Sequence, residues 1–210
     1  MNFSNRDLFL LLILIISLTL FVSQNFIVTN EVISEALQLQ LSLDRIQQLL
    51  DFRDQWAWIN YVALPIIYLI KFGLVSLWIL CGTVLFGYKV SFKAIFHVVL
   101  VAEFVWLVPS FLSIIWFGFI DTDYSLVDIQ YFQPLSLLNF FDGLSLDPWV
   151  VFPLRAFNVF EVIYALVLTL GMRKVIKQDW MDSVRFTIPV YGFGFITWIV
   201  FITFLTLNLA

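Results

Sequence analysis

Several apolar runs in this chain are long enough to cross a lipid bilayer, and that feature limits what the chain can fold into. The runs cover about residues 8–27, 61–86, 92–120, 149–170 and 186–207. A hydrocarbon core about 30 Å thick requires about 20 apolar residues in a helix. The runs are continuous rather than alternating, which favours helices over a barrel. The sequence therefore predicts an all-α integral membrane protein with five transmembrane helices.

The overall composition supports this class and excludes others. Of the 210 residues, 62% are hydrophobic and 12% are charged, whereas soluble domains are roughly 45–50% apolar and about 25% charged. Disorder, a nucleic-acid-binding domain and a typical cytosolic enzyme are all inconsistent with these values and with a net charge of −4. We expect one membrane domain over residues 1–210, surrounded by membrane lipid, with no nucleic-acid partner.

The first apolar run, residues 8–27, has two interpretations. Its length and position allow a cleaved secretory signal peptide. The segment Val22–Phe26 has no small-x-small cleavage site, and the run exceeds a usual signal h-region. An uncleaved membrane anchor is therefore the favoured interpretation.

Residues 31–54 form a different pattern, typical of an amphipathic helix outside the membrane core. Asn30 can cap its start, and polar residues occupy much of the other face. The apolar stripe must bury against the rest of this chain, the lipid interface, a partner protein or a second copy. The apolar positions recur every three or four residues, and the interface candidates among them are Leu39, Leu43, Ile46 and Leu50.

The distribution of basic residues predicts how the chain is oriented. With alternating sides, one side carries seven Lys and Arg residues in or beside short loops, whereas the other carries Arg45 and Arg53 against ten acids. Short basic loops stay in the cytoplasm. We expect a bacterial inner-membrane protein with a cytoplasmic N-terminus and an extracytoplasmic C-terminus. The amphipathic helix and an acidic loop, residues 121–148, would then share the outer face.

A group of charged and polar residues falls inside the predicted spans. Ionised groups at mid-bilayer are costly and usually face a protein interior or a wet cavity. Lys71 lies at a depth that allows pairing with Glu103, Glu161 or both. The cluster is either a structural knot that fixes helix packing or part of an ion, proton or ligand pathway. Its predicted members are Lys71, Glu103, Arg155, Asn158 and Glu161.

Motifs for catalysis or metal binding are missing from the sequence. No GxSxG, HExxH, Walker or Rossmann pattern occurs. His97 and Cys81 are each the single residue of their type, so no His or Cys metal site and no cofactor are predicted. His97 remains a possible proton-active group. The sequence favours a non-enzymatic membrane subunit or scaffold, with a small transporter, channel or permease component as the alternative.

Three stretches resemble bacterial members of the Yip-domain family. They are Ser91–His97 leading into a span with a central Pro109, residues 154–174 with their Leu-Gly-Met ending and basic tail, and QDWMDSVRFTIPVYGFGFITW at residues 178–198. The resemblance covers about residues 88–205 and implies five helical spans. Eukaryotic members of the family act in vesicle traffic with small GTPases. No functional residue follows from the resemblance, and the amphipathic outer helix departs from the family pattern.

Overall fold

The computed structural model describes residues 4–209, and helices dominate that range. Short 3-10 or π turns extend or join several of them. The α-helices are α1 (Asn5–Val22), α2 (Asn30–Leu37), α3 (Leu43–Leu85), α4 (Phe92–Glu103), α5 (Leu107–Ile115), α6 (Leu126–Tyr131), α7 (Pro148–Ala156), α8 (Val159–Ile176) and α9 (Trp180–Leu209).

Within residues 4–209, four helical segments have the length and apolar composition to cross a membrane. They are Asn5–Ile27, Leu43–Leu85, Phe92–Ile120 and Trp180–Leu209. The prediction of a helical membrane protein is therefore supported. The predicted span 149–170 is different, because it is divided into α7 and α8 at Phe157 and Asn158.

The predicted single amphipathic helix over residues 31–54 is wrong. Helix α2 ends at Leu37, and α3 begins at Leu43 and continues without interruption into the membrane segment. The reversal lets α2 pack back on the start of α3, which buries Ile46 and Leu50 within the chain. A single helix would have left that stripe without a partner. We call residues 30–60 the outer arm.

The third span contains the distortion expected near Pro109. Helix α4 ends at Glu103, a 3-10 turn covers Phe104–Trp106, and α5 follows. Proline provides no N–H for the carbonyl four residues earlier, at Val105, so the regular helix cannot continue there. The change in helix type places Glu103 at the end of a buried helical segment.

The core lies around α4, which contacts α1, α3 and α8. Close approach of α8 depends on Gly171, because a Cβ there would lie 2.4 Å from Val98 Cγ1. Gly194 similarly allows Trp78 of α3 to reach α9, where its Nε1 donates to the Val190 carbonyl at 2.8 Å. Small residues at helix contacts are typical of packing within membranes.

Candidate functional site

The centre of the candidate site is an ion pair between α3 and α4. Lys71 Nζ lies 2.8 Å from Glu103 Oε2, one of the pairings that the sequence predicts. The Glu103 side chain is 3% exposed, whereas that of Lys71 is 45% exposed. The carboxylate is therefore enclosed by protein, and the lysine reaches it from an open face of α3.

Two tyrosines that the sequence analysis did not select extend this pair into α8 and α9. Tyr164 OH donates to Glu103 Oε1 at 3.1 Å, and Tyr191 OH donates to Glu161 Oε1. The two tyrosine rings lie 5.3 Å apart between centroids. The sequence did contain a signal for them: a buried Tyr hydroxyl needs a hydrogen-bond partner, so tyrosines inside apolar spans indicate nearby polar groups. We call Lys71, Glu103, Glu161, Tyr164 and Tyr191 the buried cluster.

The break between α7 and α8 positions Glu161. Asn158 Oδ1 accepts the Glu161 backbone N–H at 2.9 Å, which caps the start of α8. Asn158 Nδ2 also donates to the carbonyls of Arg155 and Ala156 at the end of α7. One side chain therefore satisfies backbone groups on both sides of the break. The spacing Asn-x-x-Glu is a known helix-start signal, and it lay unused inside the predicted span.

Residues 121–147, which we call the outer loop, supply further hydrogen bonds at this break. Leu137 N–H donates to the Phe157 carbonyl at 2.9 Å, and Val159 N–H donates to the Leu135 carbonyl at 3.1 Å. Leu138 is buried beside them. Backbone groups without water must find partners in the protein, so the loop makes an irregular helix possible here.

Three predicted residues lie outside the buried cluster, and one of them is the capping Asn158. The Arg155 guanidinium donates to the Gln130 carbonyl in the outer loop rather than to a carboxylate. His97 Nδ1 lies 2.8 Å from Asn5 Oδ1, and Asn5 Nδ2 donates to the Lys93 carbonyl. His97 therefore joins the start of α1 to α4, away from the ion pair.

The four interface candidates of the outer arm divide into two pairs. Ile46 is 2% exposed and Leu50 is 8% exposed, so both are buried within the chain. Leu39 and Leu43 are 93% and 76% exposed. The arm is attached near its base by Arg53, whose guanidinium donates to the Gln24 and Val28 carbonyls and to Asn30 Oδ1.

The chemical capacity of the buried cluster is that of a polar network. Two carboxylates, one ammonium group and two phenols connect α3, α4, α8 and α9. Across residues 4–209, no group of three or more His, Cys, Asp or Glu side chains is arranged to hold a metal ion. The arrangement can stabilise helix packing or exchange a proton.

Comparison of the chain with protein-family models, curated proteins and solved structures finds no match.

Proposed function

We propose that this protein is a non-enzymatic, multi-pass membrane subunit or scaffold of a larger membrane assembly. The observation that carries the proposal is the apolar tip of the outer arm, where Leu39 and Leu43 are exposed and precede the apolar run 61–86 that is expected to cross the membrane. Neighbouring large apolar side chains that are exposed on a water-facing surface are typical of protein interaction sites. The role is that of a component held in a complex through its outer face.

The contacts of the buried cluster support a structural use of the intramembrane charges. The carboxylates of Glu103 and Glu161 accept hydrogen bonds from groups of this chain. Two open surface grooves are lined by residues outside the cluster. One is lined by arm residues, and the other lies between α1 and α3, from Gln24 to Tyr68. The cluster thus joins helices in the way expected of a packing knot.

Purification from native membranes in a mild detergent tests this proposal. We expect the wild-type chain to run as a complex larger than one copy, with a fixed stoichiometry by mass spectrometry. The L39D/L43D variant should fold but lose the complex. Leu144→Asp, which alters a leucine that is 70% exposed in the outer loop, is the matched control and should retain it. A wild-type chain that runs as a monomer would contradict the proposal.

The membrane placement is part of the same proposal. We propose that α7 and α8 together form a fifth crossing, in a bacterial inner membrane, with the N-terminus inside and the C-terminus outside. The contacts of α8 with α4 and α9, together with the Lys and Arg bias, support it. The Yip-domain resemblance is consistent with five crossings and remains part of the proposal.

Cysteine labelling tests the orientation. In a Cys81→Ser background, a cysteine at position 177 should react with a membrane-impermeant reagent only after the inner face is opened. A cysteine at position 123 should react in intact cells. Reaction of position 177 in intact cells would reverse the assignment.

A second candidate function is a small transporter, channel or permease component. The broken α7–α8 helix favours it, because discontinuous helices with polar groups at the break are typical of transporter binding sites. Proton or cation flux into liposomes containing the purified protein tests this candidate. A folded K71M/E103Q variant should lose flux under this function and should keep its assembly under the scaffold function.

A further inference from the structure

The outer arm ends in an apolar tip that lies far from the lipid. Leu39 and Leu43 are its most exposed leucines. Trp56 and Trp58 lie farther along α3 and are exposed as an interfacial aromatic belt would be. The position of this belt sets the distance between the tip and the bilayer surface.

Helix geometry excludes the protein's own membrane as the cover for this tip. Residues 43 and 56 belong to one continuous helix, so at 1.5 Å per residue Leu43 lies about 20 Å beyond Trp56. The headgroup layer is only about 5–8 Å thick on each side. Even a helix tilted by about 40° keeps the tip about 15 Å above the belt. Lipid of the same membrane therefore does not reach these leucines, and the cover available to them is a protein surface.

An open groove along the arm, lined from Asn30 at the base to Glu35, indicates the chemistry of that protein. It has a volume of about 340 Å³ and runs along α2 beside α3. Leu50 contributes an apolar wall, and Glu31 and Glu35 contribute acidic ones. Like charges four residues apart on a helix destabilise it. Within residues 4–209 neither glutamate forms an ion pair, so their repulsion is not relieved inside the chain.

Charge also distinguishes between a second copy and a different partner. The residues assigned to the outer face carry ten acids and two arginines. Arg53 already donates to Gln24, Val28 and Asn30, which leaves Arg45 as the other basic residue of the arm. Two copies of this surface would repel each other. A basic surface would be attracted to it.

From these observations we infer that the outer arm binds a basic amphipathic helix of a different protein. Its apolar face covers Leu39 and Leu43, and its Lys or Arg side chains enter the groove between Glu31 and Glu35. This inference rests on the proposed function and names the partner class. If this inference holds, α2 is the helix of the arm that determines which partner binds.

Photo-crosslinking in native membranes tests the inference with the full chain. A photoreactive amino acid replaces Leu39, and the cross-linked partner peptide is sequenced by mass spectrometry. We expect a peptide with a net positive charge and apolar residues at helical spacing. The cross-linking yield should fall at high salt, because exposed charge pairs are screened.

Neutral variants separate charge from folding. E31Q/E35Q removes the like-charge pair and should keep α2 helical by circular dichroism. Its cross-linking yield should fall by about five-fold or more, since exposed ion pairs contribute up to about 1 kcal/mol each. The matched control D121N/D123N, in the outer loop, should leave the yield unchanged.

Several outcomes would overturn the inference. Cross-links to a second copy would contradict it while leaving an assembly role intact. Cross-links to lipid would contradict the argument from distance. A partner peptide without excess basic residues, or an unchanged yield in E31Q/E35Q, would contradict the charge argument. No cross-link together with a monomeric purified chain would reject both this inference and the proposed function.

Discussion

The membrane bundle and the outer arm differ in which side chains they bury and which they leave exposed, although both are rich in leucine and isoleucine. In the bundle, the carboxylates of the buried cluster lie inside, and under the proposed placement lipid covers the large apolar side chains outside. In the arm, Ile46 and Leu50 lie inside, whereas Leu39 and Leu43 are exposed and, under the same placement, lie beyond the reach of lipid. The same exposed leucine is therefore ordinary in one region and indicates a partner in the other.

The two regions also differ in what holds their helices together. The bundle lacks a hydrophobic driving force between helices, so close packing and hydrogen bonds must supply the attraction. Glu103 meets both needs, because it is buried and bonded to α3 and α8. Under the proposed placement the arm lies in water, where burial of aliphatic side chains is itself favourable. Variants of each region should therefore fail for different reasons.

The largest effect should come from breaking the ion pair. Lys71→Met leaves the Glu103 carboxylate buried beside Tyr164 without its cation, and we expect the free energy of unfolding to fall by about 3 kcal/mol. Glu103→Gln should cost less, because the ammonium of Lys71 is half-exposed and can reorient. Unfolding in mixed detergent micelles measures both.

The double variant provides the decisive control for that prediction. K71M/E103Q removes both charges, and it should recover at least half of the loss, because no charge remains buried alone. Equal stability of Lys71→Met and K71M/E103Q would show that the pair does not stabilise the bundle.

The next largest effect should be a difference in stability between variants of the buried and of the exposed apolar residues of the arm. Ile46→Ala removes an aliphatic side chain that is 2% exposed, and should lower stability by about 2–3 kcal/mol. Leu43→Ala should change it by less than about 0.5 kcal/mol, as expected for surface substitutions. Protease resistance of residues 30–60 measures the difference. Equal losses would mean that Leu43 is buried within the chain.

A smaller loss of stability should follow removal of a helix cap, and the loss should be larger for a cap inside the bundle than for one in the outer loop. Asn158→Ala leaves backbone groups of both α7 and α8 without partners and should cost about 2 kcal/mol, the upper end of the range for N-caps. Ser125→Ala removes the cap of α6, where water can substitute, and should cost about 0.5–1 kcal/mol. Thermal unfolding in the same detergent compares the two variants. A larger loss for Ser125→Ala would reverse the comparison.

The sequence could predict the four helices of membrane length, because hydropathy and length alone determine them. Pairing of Lys71 with a glutamate also followed, since a lone charge at that depth is costly. The choice of Glu103 over Glu161 could not be predicted, because it depends on how α3 and α4 rotate against each other. The tyrosines were missed for the same reason.

Both errors in the predicted helices came from interruptions of a periodic pattern. The stripe from Val32 to Leu50 keeps its spacing across Gln38–Ser42, so periodicity alone cannot detect the turn there. The apolar run around Asn158 likewise concealed a cap. The break there is stable because residues 135–137, distant in sequence, supply the missing backbone hydrogen bonds. Such tertiary support has no local signal.

The smallest effect should be a weak pH dependence of the outer face. Side-chain and backbone hydrogen bonds from Ser125 lower the pKa of Asp128 below its ordinary value. Because the folded pKa is depressed, the stabilisation is present above the unfolded pKa, near 4, and is lost as pH falls through the folded value. Asp128 is exposed, so the contribution should be under about 0.5 kcal/mol.

Amide hydrogen exchange in α6 measures this contribution, as the difference between wild type and Asp128→Asn. An Asp128→Asn variant that loses protection at low pH as much as the wild type does would show that another carboxylate is responsible. Since α6 packs on α2, hydrogen exchange of the α2 amides in the same experiment would show whether the effect reaches the arm.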